Sequence, residues 1–208
     1  MTAAISPRRE ISLTFDDGPD PVWTPRVLDA LLASQARATF FVVTPLARRR
    51  PGLISEMLER GHGVEFHCVE HVRHTDLDRD EIEKDARTGL RDLESLGVKP
   101  RLWRTPWGIT TPATLETSRK LGLQVTPWTE DTHDWRGDPA SEMLASISPS
   151  LAPGSVVLMH DGIGPGARRD GCEETVALIE PLVGRIRALG CEPAPMRPAR
   201  DAKHEVNI

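Results

Sequence analysis

Strands alternating with helices constrain this chain more than any other feature. Apolar, β-branched runs recur at Ile11–Phe15, Ala38–Val43, Gly63–His67, Leu102–Thr105, Leu123–Trp128 and Ser155–His160. Stretches with helical spacing separate or follow them: Thr24–Ala36, Leu53–Arg60, Arg79–Leu96, Pro112–Leu121, Ser141–Leu151 and Glu173–Leu189. The first of these sets Val27, Leu28, Leu31 and Leu32 on one face. Asp80 with Glu83 suits a cap and a favourable dipole at the third helix start, and glycines 61, 97, 122 and 190 stand where helices should stop. Strands joined through helices pair in parallel, each crossover being right-handed. A seventh run, Cys191–Met196, is weakened by two prolines. Six or seven such units predict a barrel related to the (β/α)8 type but short by a strand or so. An open doubly wound sheet is the competing architecture. Both put function at the carboxyl ends of the strands.

Hydrophobic content of 38 % and charged content of 27 % argue against wholesale disorder. No linker, repeat or low-complexity tract divides the chain, so residues 1–208 are expected to form one domain, with 197–208 a disordered tail. The net charge of −5 gives no footprint for nucleic acid, and the longest basic run, Arg48-Arg49-Arg50, reads as a solvated loop. Three cysteines, Cys68, Cys172 and Cys191, favour free thiols and a reducing compartment. Neither a secretory leader nor a membrane-spanning apolar run is visible. Those features predict a cytoplasmic protein, or a secreted one whose leader has been trimmed.

The polar residues with chemical potential gather at the predicted strand ends. Thr14-Phe15-Asp16-Asp17-Gly18-Pro19 closes the first strand with two carboxylates and a turn. Strand alternation points Asp16 and Asp17 in different directions, so one could bind a metal while the other handles a proton. Read alone, such a segment is more often only a turn. His67 and His71 are spaced to share the face of a helical turn, and with a carboxylate they make a His₂Asp set suited to Zn²⁺ with one position left for water. An isolated pair of this spacing is more often a solvated loop. His62 and His74 have a minor claim as ligands, and Cys68 should point away from a face shared by its neighbours. Arg104 could grip a carboxylate with a bidentate fork. His160, ending an apolar strand, suits either a general acid or a satisfied core histidine. The Asp161–Gly171 segment holds four glycines without a phosphate-cradle lysine and reads as a mobile loop.

In this order the segments resemble the polysaccharide deacetylase family, also called the NodB homology domain or carbohydrate esterase family 4. The resemblance spans about residues 11–162. It rests on TFDDGP at 14–19, HCVEH at 67–71, RTPWG at 104–108, DTHDW at 131–135 and LMH at 158–160. It implies an α/β fold, an irregular (β/α)7 barrel related to the TIM barrel. It also implies a metal-dependent hydrolase that removes N-acetyl groups from N-acetylated sugars or polysaccharides through metal-activated water. Asp17, His67 and His71 would hold one divalent ion, Zn²⁺ first, with Co²⁺, Mn²⁺ or Ni²⁺ as alternatives. Asp16 would be the general base, held by Arg104. The backbone N–H of Trp107 would help the metal stabilise the oxyanion. His160, paired with Asp134, would protonate the leaving amine, Asp131 being the weaker candidate for that partner. Leu158 and Trp135 would wall the pocket for the acetyl methyl.

Two departures stand out: Cys68 replaces the usual Ser or Thr, and no export signal is present. They leave open a second reading, a hydrolase of another small linear or cyclic amide or of an acetyl ester. A third reading, a carbohydrate-binding domain without catalysis, is disfavoured because binding has no need of Asp16, Arg104 and His160. No membrane or nucleic-acid partner is expected, and the oligomeric state is not encoded legibly.

Overall fold

The computed structural model describes residues 9–198. In chain order the strands are β1 (Glu10–Asp16), β2 (Thr39–Val43), β3 (Gly63–Cys68), β4 (Leu102–Trp103), β5 (Gln124–Val125), β6 (Glu130–Asp131), β7 (Val156–His160) and β8 (Glu192–Pro193). The helices are α1 (Trp23–Ala33), α2 (Thr44–Arg49), α3 (Pro51–Glu59), α4 (Arg79–Ser95), α5 (Pro112–Leu121), α6 (Ala140–Ile147) and α7 (Glu173–Ala188). The strands form one parallel sheet in the order β5-β4-β3-β2-β1-β7-β6, with β8 beside β1. It is an irregular α/β barrel whose two end strands, β5 and β6, do not pair with each other.

That seam corrects the single fifth strand expected at Leu123–Trp128. The run divides. Its first part pairs with β4, and the chain beyond it returns at β6 to pair with β7. Pro127 lies between and has no N–H to give a ladder, so the strand cannot run through it. Instead Thr126 N–H donates to Trp103 O at 2.9 Å and Thr129 N–H to Val156 O at 2.9 Å, one to each side of the gap.

Smaller corrections have equally local causes. The cap of α4 is Asp78, not Asp80: its carboxylate accepts the Glu81 N–H at 2.9 Å while Glu81 accepts the Asp78 N–H at 2.8 Å. Asp80 sits in the first turn, and Glu83 instead binds Arg87 and Lys120 on the surface, each at 2.7 Å. Leu32 is 61 % exposed; α1 buries Thr24, Val27, Leu28 and Leu31. Arg48 and Arg49 belong to the last turn of α2, where cations suit the helix dipole, rather than to a loop. The weak seventh run shrinks to the two residues of β8 at the sheet margin. Of the predicted tail, residues 199–208 lie outside the described residues. Cys68, Cys172 and Cys191 are buried free thiols. Among the described residues no helix is long and apolar enough to cross a membrane.

The core fills both the barrel and the layer beneath the helices. Ile11, Leu13 and Phe15 of β1 meet Phe40 of β2, with the Phe15 and Phe40 rings stacked at 5.2 Å. Leu178, Ile179, Leu182, Val183 and Ile186 of α7 belong to the same buried cluster. Each such side chain contributes roughly 1.5–3 kcal/mol of transfer free energy. At Gly89 the axis of α4 comes close to β3: a Cβ there would lie 2.1 Å from the Phe66 ring. This approach sets Asp85, one turn earlier on α4, against the chain that leaves β3.

Candidate active site

Strand register brings the polar ends together. On β1 and β7, Asp16 pairs with His160, so the two functional candidates are neighbours across one ladder. Asp17 follows with φ of 70°, a left-handed conformation uncommon outside glycine. The strand therefore ends at Asp16. The turn swings Asp17 into the same cavity as Asp16, where simple alternation had predicted divergence. The loop after β7 closes over this turn; a Cβ on Gly164 would lie 2.0 Å from the Asp17 carboxylate, so only glycine fits.

His67 and His71 do converge, but not on a helical turn. His67 belongs to β3, and a bend after Cys68 returns His71 beside it, the rings 5.1 Å apart. Asp85 fixes the bend by accepting the N–H groups of Val69 at 3.0 Å and Glu70 at 2.9 Å. His67 Nδ1–H donates to the Arg104 carbonyl at 2.7 Å, which aims its Nε2 at Asp17 Oδ1, 3.3 Å away. His71 Nε2 lies 3.2 Å from the same oxygen. Ligand atoms of Asp17, His67 and His71 all fall within 4.8 Å of one another. Asp17 Oδ1 and His67 Nε2 are buried without a hydrogen-bond partner. Acceptors turned toward each other in a buried space repel unless a cation lies among them, so the residues present fit a metal ion. Burial opposes ionisation of Asp17, and positive charge beside it, as from His67 and His71 when protonated, outweighs that burial and holds the carboxyl well below the usual carboxylate range.

Arg104 is fully buried beneath Asp16. Its Nη1 donates to Asp16 Oδ1 at 2.9 Å and to Thr14 Oγ1 at 2.6 Å, and its Nε reaches Thr126 O at 3.4 Å. The expected bidentate fork is thus replaced by one contact to the carboxylate, because the remaining donors are shared among a hydroxyl and a carbonyl. Its guanidinium lies 4.1 Å above the Phe41 ring. Burial draws the Arg104 pKa down, and Asp16 opposes that fall.

His160 is held on two sides by Asp134. Its Nδ1–H donates to Oδ1 at 2.7 Å and its backbone N–H to Oδ2 at 2.9 Å. Burial would lower the imidazole pKa, yet Asp134, with Asp17 and Asp16, raises it from 6.5 to about 9. Asp131 does not share this role; it accepts the His133 N–H at 2.7 Å and lines the cavity. Two partners of Asp134 escaped the sequence reading. Arg169 Nη1 donates to Oδ2 at 3.0 Å, and Thr175 Oγ1 donates to the same oxygen at 2.7 Å. Arg169 belongs to the glycine-rich segment taken for a mobile loop, which it anchors. The two are 35 and 41 residues from Asp134, with no spacing signal to reveal them.

These groups open into a cavity of about 400 Å³. Trp107, Trp135 and Leu158 line it, as expected, and so do Trp128 and Arg73, which the sequence did not single out. Trp107 has φ of 53°, in a turn closed by the N–H groups of Gly108 and Ile109 rather than its own. Its ring meets His71 edge-on at 4.3 Å and carries the Arg73 guanidinium 4.4 Å away. His62 and His74 lie apart from it: His62 Nδ1 accepts the Ala38 N–H at 3.1 Å, and His74 pairs with Thr114 at 2.8 Å. Burial lowers each to a pKa of about 4. The Cys68 thiol, its pKa raised by burial, is not among the converging ligand atoms. Asp161, next to His160, is buried on the Thr24 hydroxyl and raised to about 7 by that burial.

Among known proteins, the chain is 34 % identical over 199 residues to a chitooligosaccharide deacetylase of Bradyrhizobium, covering 92 % of this chain and 91 % of that one. A family 4 carbohydrate esterase from Streptomyces lividans, solved with acetate, superposes with a TM-score of 0.81 at 27 % identity, covering 91 % and 93 % of the two chains. A family 4 pseudoenzyme from Bacillus anthracis reaches the same score at 20 % identity, covering 91 % of this chain and 64 % of that one, so the fold by itself does not guarantee activity. The family model described as polysaccharide deacetylase matches residues 4–126, and this chain belongs to that family.

Proposed function

We propose that this chain is a metal-dependent hydrolase that removes N-acetyl groups from N-acetylated sugars. The observation that carries the reading is one cavity flanked by two clamped groups, Asp16 on Arg104 and His160 on Asp134, around the Asp17, His67 and His71 cluster. The Bradyrhizobium relative is named for chitooligosaccharides, and acetate is the ligand in the Streptomyces structure; both favour an acetylated carbohydrate substrate. A divalent ion held by Asp17, His67 and His71, Zn²⁺ by the nitrogen-and-carboxylate donor set, supplies Lewis acidity toward water and the acetyl carbonyl. We assign residues 9–198 to one catalytic domain.

Asp16 takes the proton of the attacking water, its carboxylate oriented by Arg104. The Trp107 N–H, left over by its own turn, donates to the oxygen that gains charge. His160 enters as imidazolium and delivers its Nε2 proton to the departing nitrogen, while Asp134 keeps Nδ1–H occupied and the ring aimed. Leu158 and Trp135 bound the space for the methyl group. A binding domain would need neither clamp. Acetate release from a panel of N-acetylated oligosaccharides by the Zn²⁺-loaded protein tests the reading. Bound oligosaccharide with no acetate released above an Asp16→Asn control would reject it.

A further inference from the structure

We propose that Arg169 is a positioning residue for the acid: its guanidinium aims the His160–Asp134 pair at the cavity and limits how tightly Asp134 retains the His160 proton. The inference rests on His160 being the acid. Every bond Arg169 makes serves this apparatus. Nη1 donates to Asp134 Oδ2 at 3.0 Å and also to Thr175 Oγ1, whose hydroxyl binds the same carboxylate. Nη2 donates to the carbonyls of His160 at 3.1 Å and Gly162 at 3.4 Å, on either side of Asp161. The Arg169 side chain is nearly buried and lines the cavity.

Charge explains why an arginine stands here. Asp134 is fully buried, and a buried carboxylate facing an imidazole with no other cation would hold the imidazolium too firmly for a useful acid. When His160 gives up its proton, the Nε2–H bond breaks, its electron pair stays on Nε2, and the amine nitrogen gains the new N–H bond. What remains behind is then an Asp134–Arg169 pair of zero net charge instead of a lone buried anion. Asp17 and Asp16 at the end of β1 also favour the imidazolium, and Asp131 of β6 lines the same cavity; the basic groups there, Arg73, His67 and His71, and Arg104 bonded to Asp16, make no bond to Asp134 among the described residues. Arg169 is the guanidinium bonded directly to Asp134, on the oxygen that His160 Nδ1–H does not use.

The test is a ¹⁵N NMR titration of the His160 imidazole in the Zn²⁺-loaded full chain. Arg169→Gln is expected to raise its midpoint by about half a pH unit or more and to carry the basic limb of kcat/KM upward with it. Arg169→Lys, which keeps the charge but loses the planar fork, should leave the midpoint near wild type while slowing amide turnover. A midpoint unchanged or lowered in Arg169→Gln, or raised equally in Arg169→Lys, overturns the proposal. Should Arg169→Gln fail to fold, the wild-type Arg169 guanidinium resonances decide: they must shift with the His160 midpoint, and resonances that stay fixed refute the coupling. Failure of the underlying reading looks different, since His160→Ala would then keep full amide turnover whatever Arg169 does to the midpoint.

Discussion

Replacing Asp134 with Asn tests the acid half of the site most directly. The imidazole of His160 rises from 6.5 to about 9, with Asp134 the main cause opposing burial. At about 1.4 kcal/mol per pH unit, this corresponds to roughly 3 kcal/mol of preference for imidazolium. The substituted amide can still accept from Nδ1–H, but it carries no charge. The His160 midpoint should fall by at least about 1.5 units, short of complete collapse because Asp16 and Asp17 remain. The basic limb of kcat/KM should descend with it while the acidic limb barely moves. Stability follows the same linkage. A histidine whose folded pKa exceeds its unfolded one stabilises fully below about pH 6.5, and this is lost as pH rises through about 9. The stability gap between wild type and Asp134→Asn should therefore be widest near pH 6, narrowing toward pH 10 as His160 deprotonates and again in strong acid, where the Asp134 carboxylate, held below its usual range, is lost. A pH-independent loss from stranding Arg169 adds to it. The assays are ¹⁵N titration of His160, kcat/KM against pH, and urea unfolding at pH 6 and 10. A His160 midpoint still near 9 in the variant would show that Asp134 does not raise it, and the charge argument would fail.

Other expectations follow from single contacts. Asp16→Asn should keep fold and metal but lose about 10²–10⁴-fold in turnover, since an amide cannot take the proton; near wild-type rates would name another base. His71→Ala should lose most bound metal and activity together, measured by elemental analysis after dialysis, and undiminished metal content would contradict the three-ligand set. Asp85→Ala leaves the Val69 and Glu70 N–H groups without their acceptor. It should weaken metal affinity by about 10–100-fold in a chelator competition, and unchanged affinity would show that the bend holds itself. Gly89→Ala, a favourable change in an open helix, should here cost about 1–3 kcal/mol because the new methyl meets Phe66; a raised melting temperature would refute that packing.

What the sequence made legible was local and repetitive. Apolar β-branched runs, helical stretches and glycines with positive φ at 61, 97, 122 and 190 follow from short-range chemistry, so the alternation was readable. The polar segments were found because each closes a strand. What escaped depended on distant partners or on one residue's detail. Pro127 split a run that looked continuous by composition. The α4 cap lay two residues before the one chosen, where both halves of the reciprocal bond could form. Arg104 looked like a fork because nothing local says that Thr14, 90 residues away, takes one of its donors. Arg169 sat among glycines suggesting motion, and only the folded chain shows the carboxylate that anchors it.

The seam between β5 and β6 has a consequence for solubility. A closed barrel has no seam to offer another molecule, whereas among the described residues β5 and β6 each leave one side unpaired here, and unpaired strand sides are where foreign strands add on. Both are only two residues long, one ends in the carboxylates of Glu130 and Asp131, and Pro127 stands between them. A visiting strand would find too short a template and negative charge along one side. Pro127→Val would remove that interruption, and at high protein concentration it should speed thioflavin-positive aggregation even where folding and catalysis are kept.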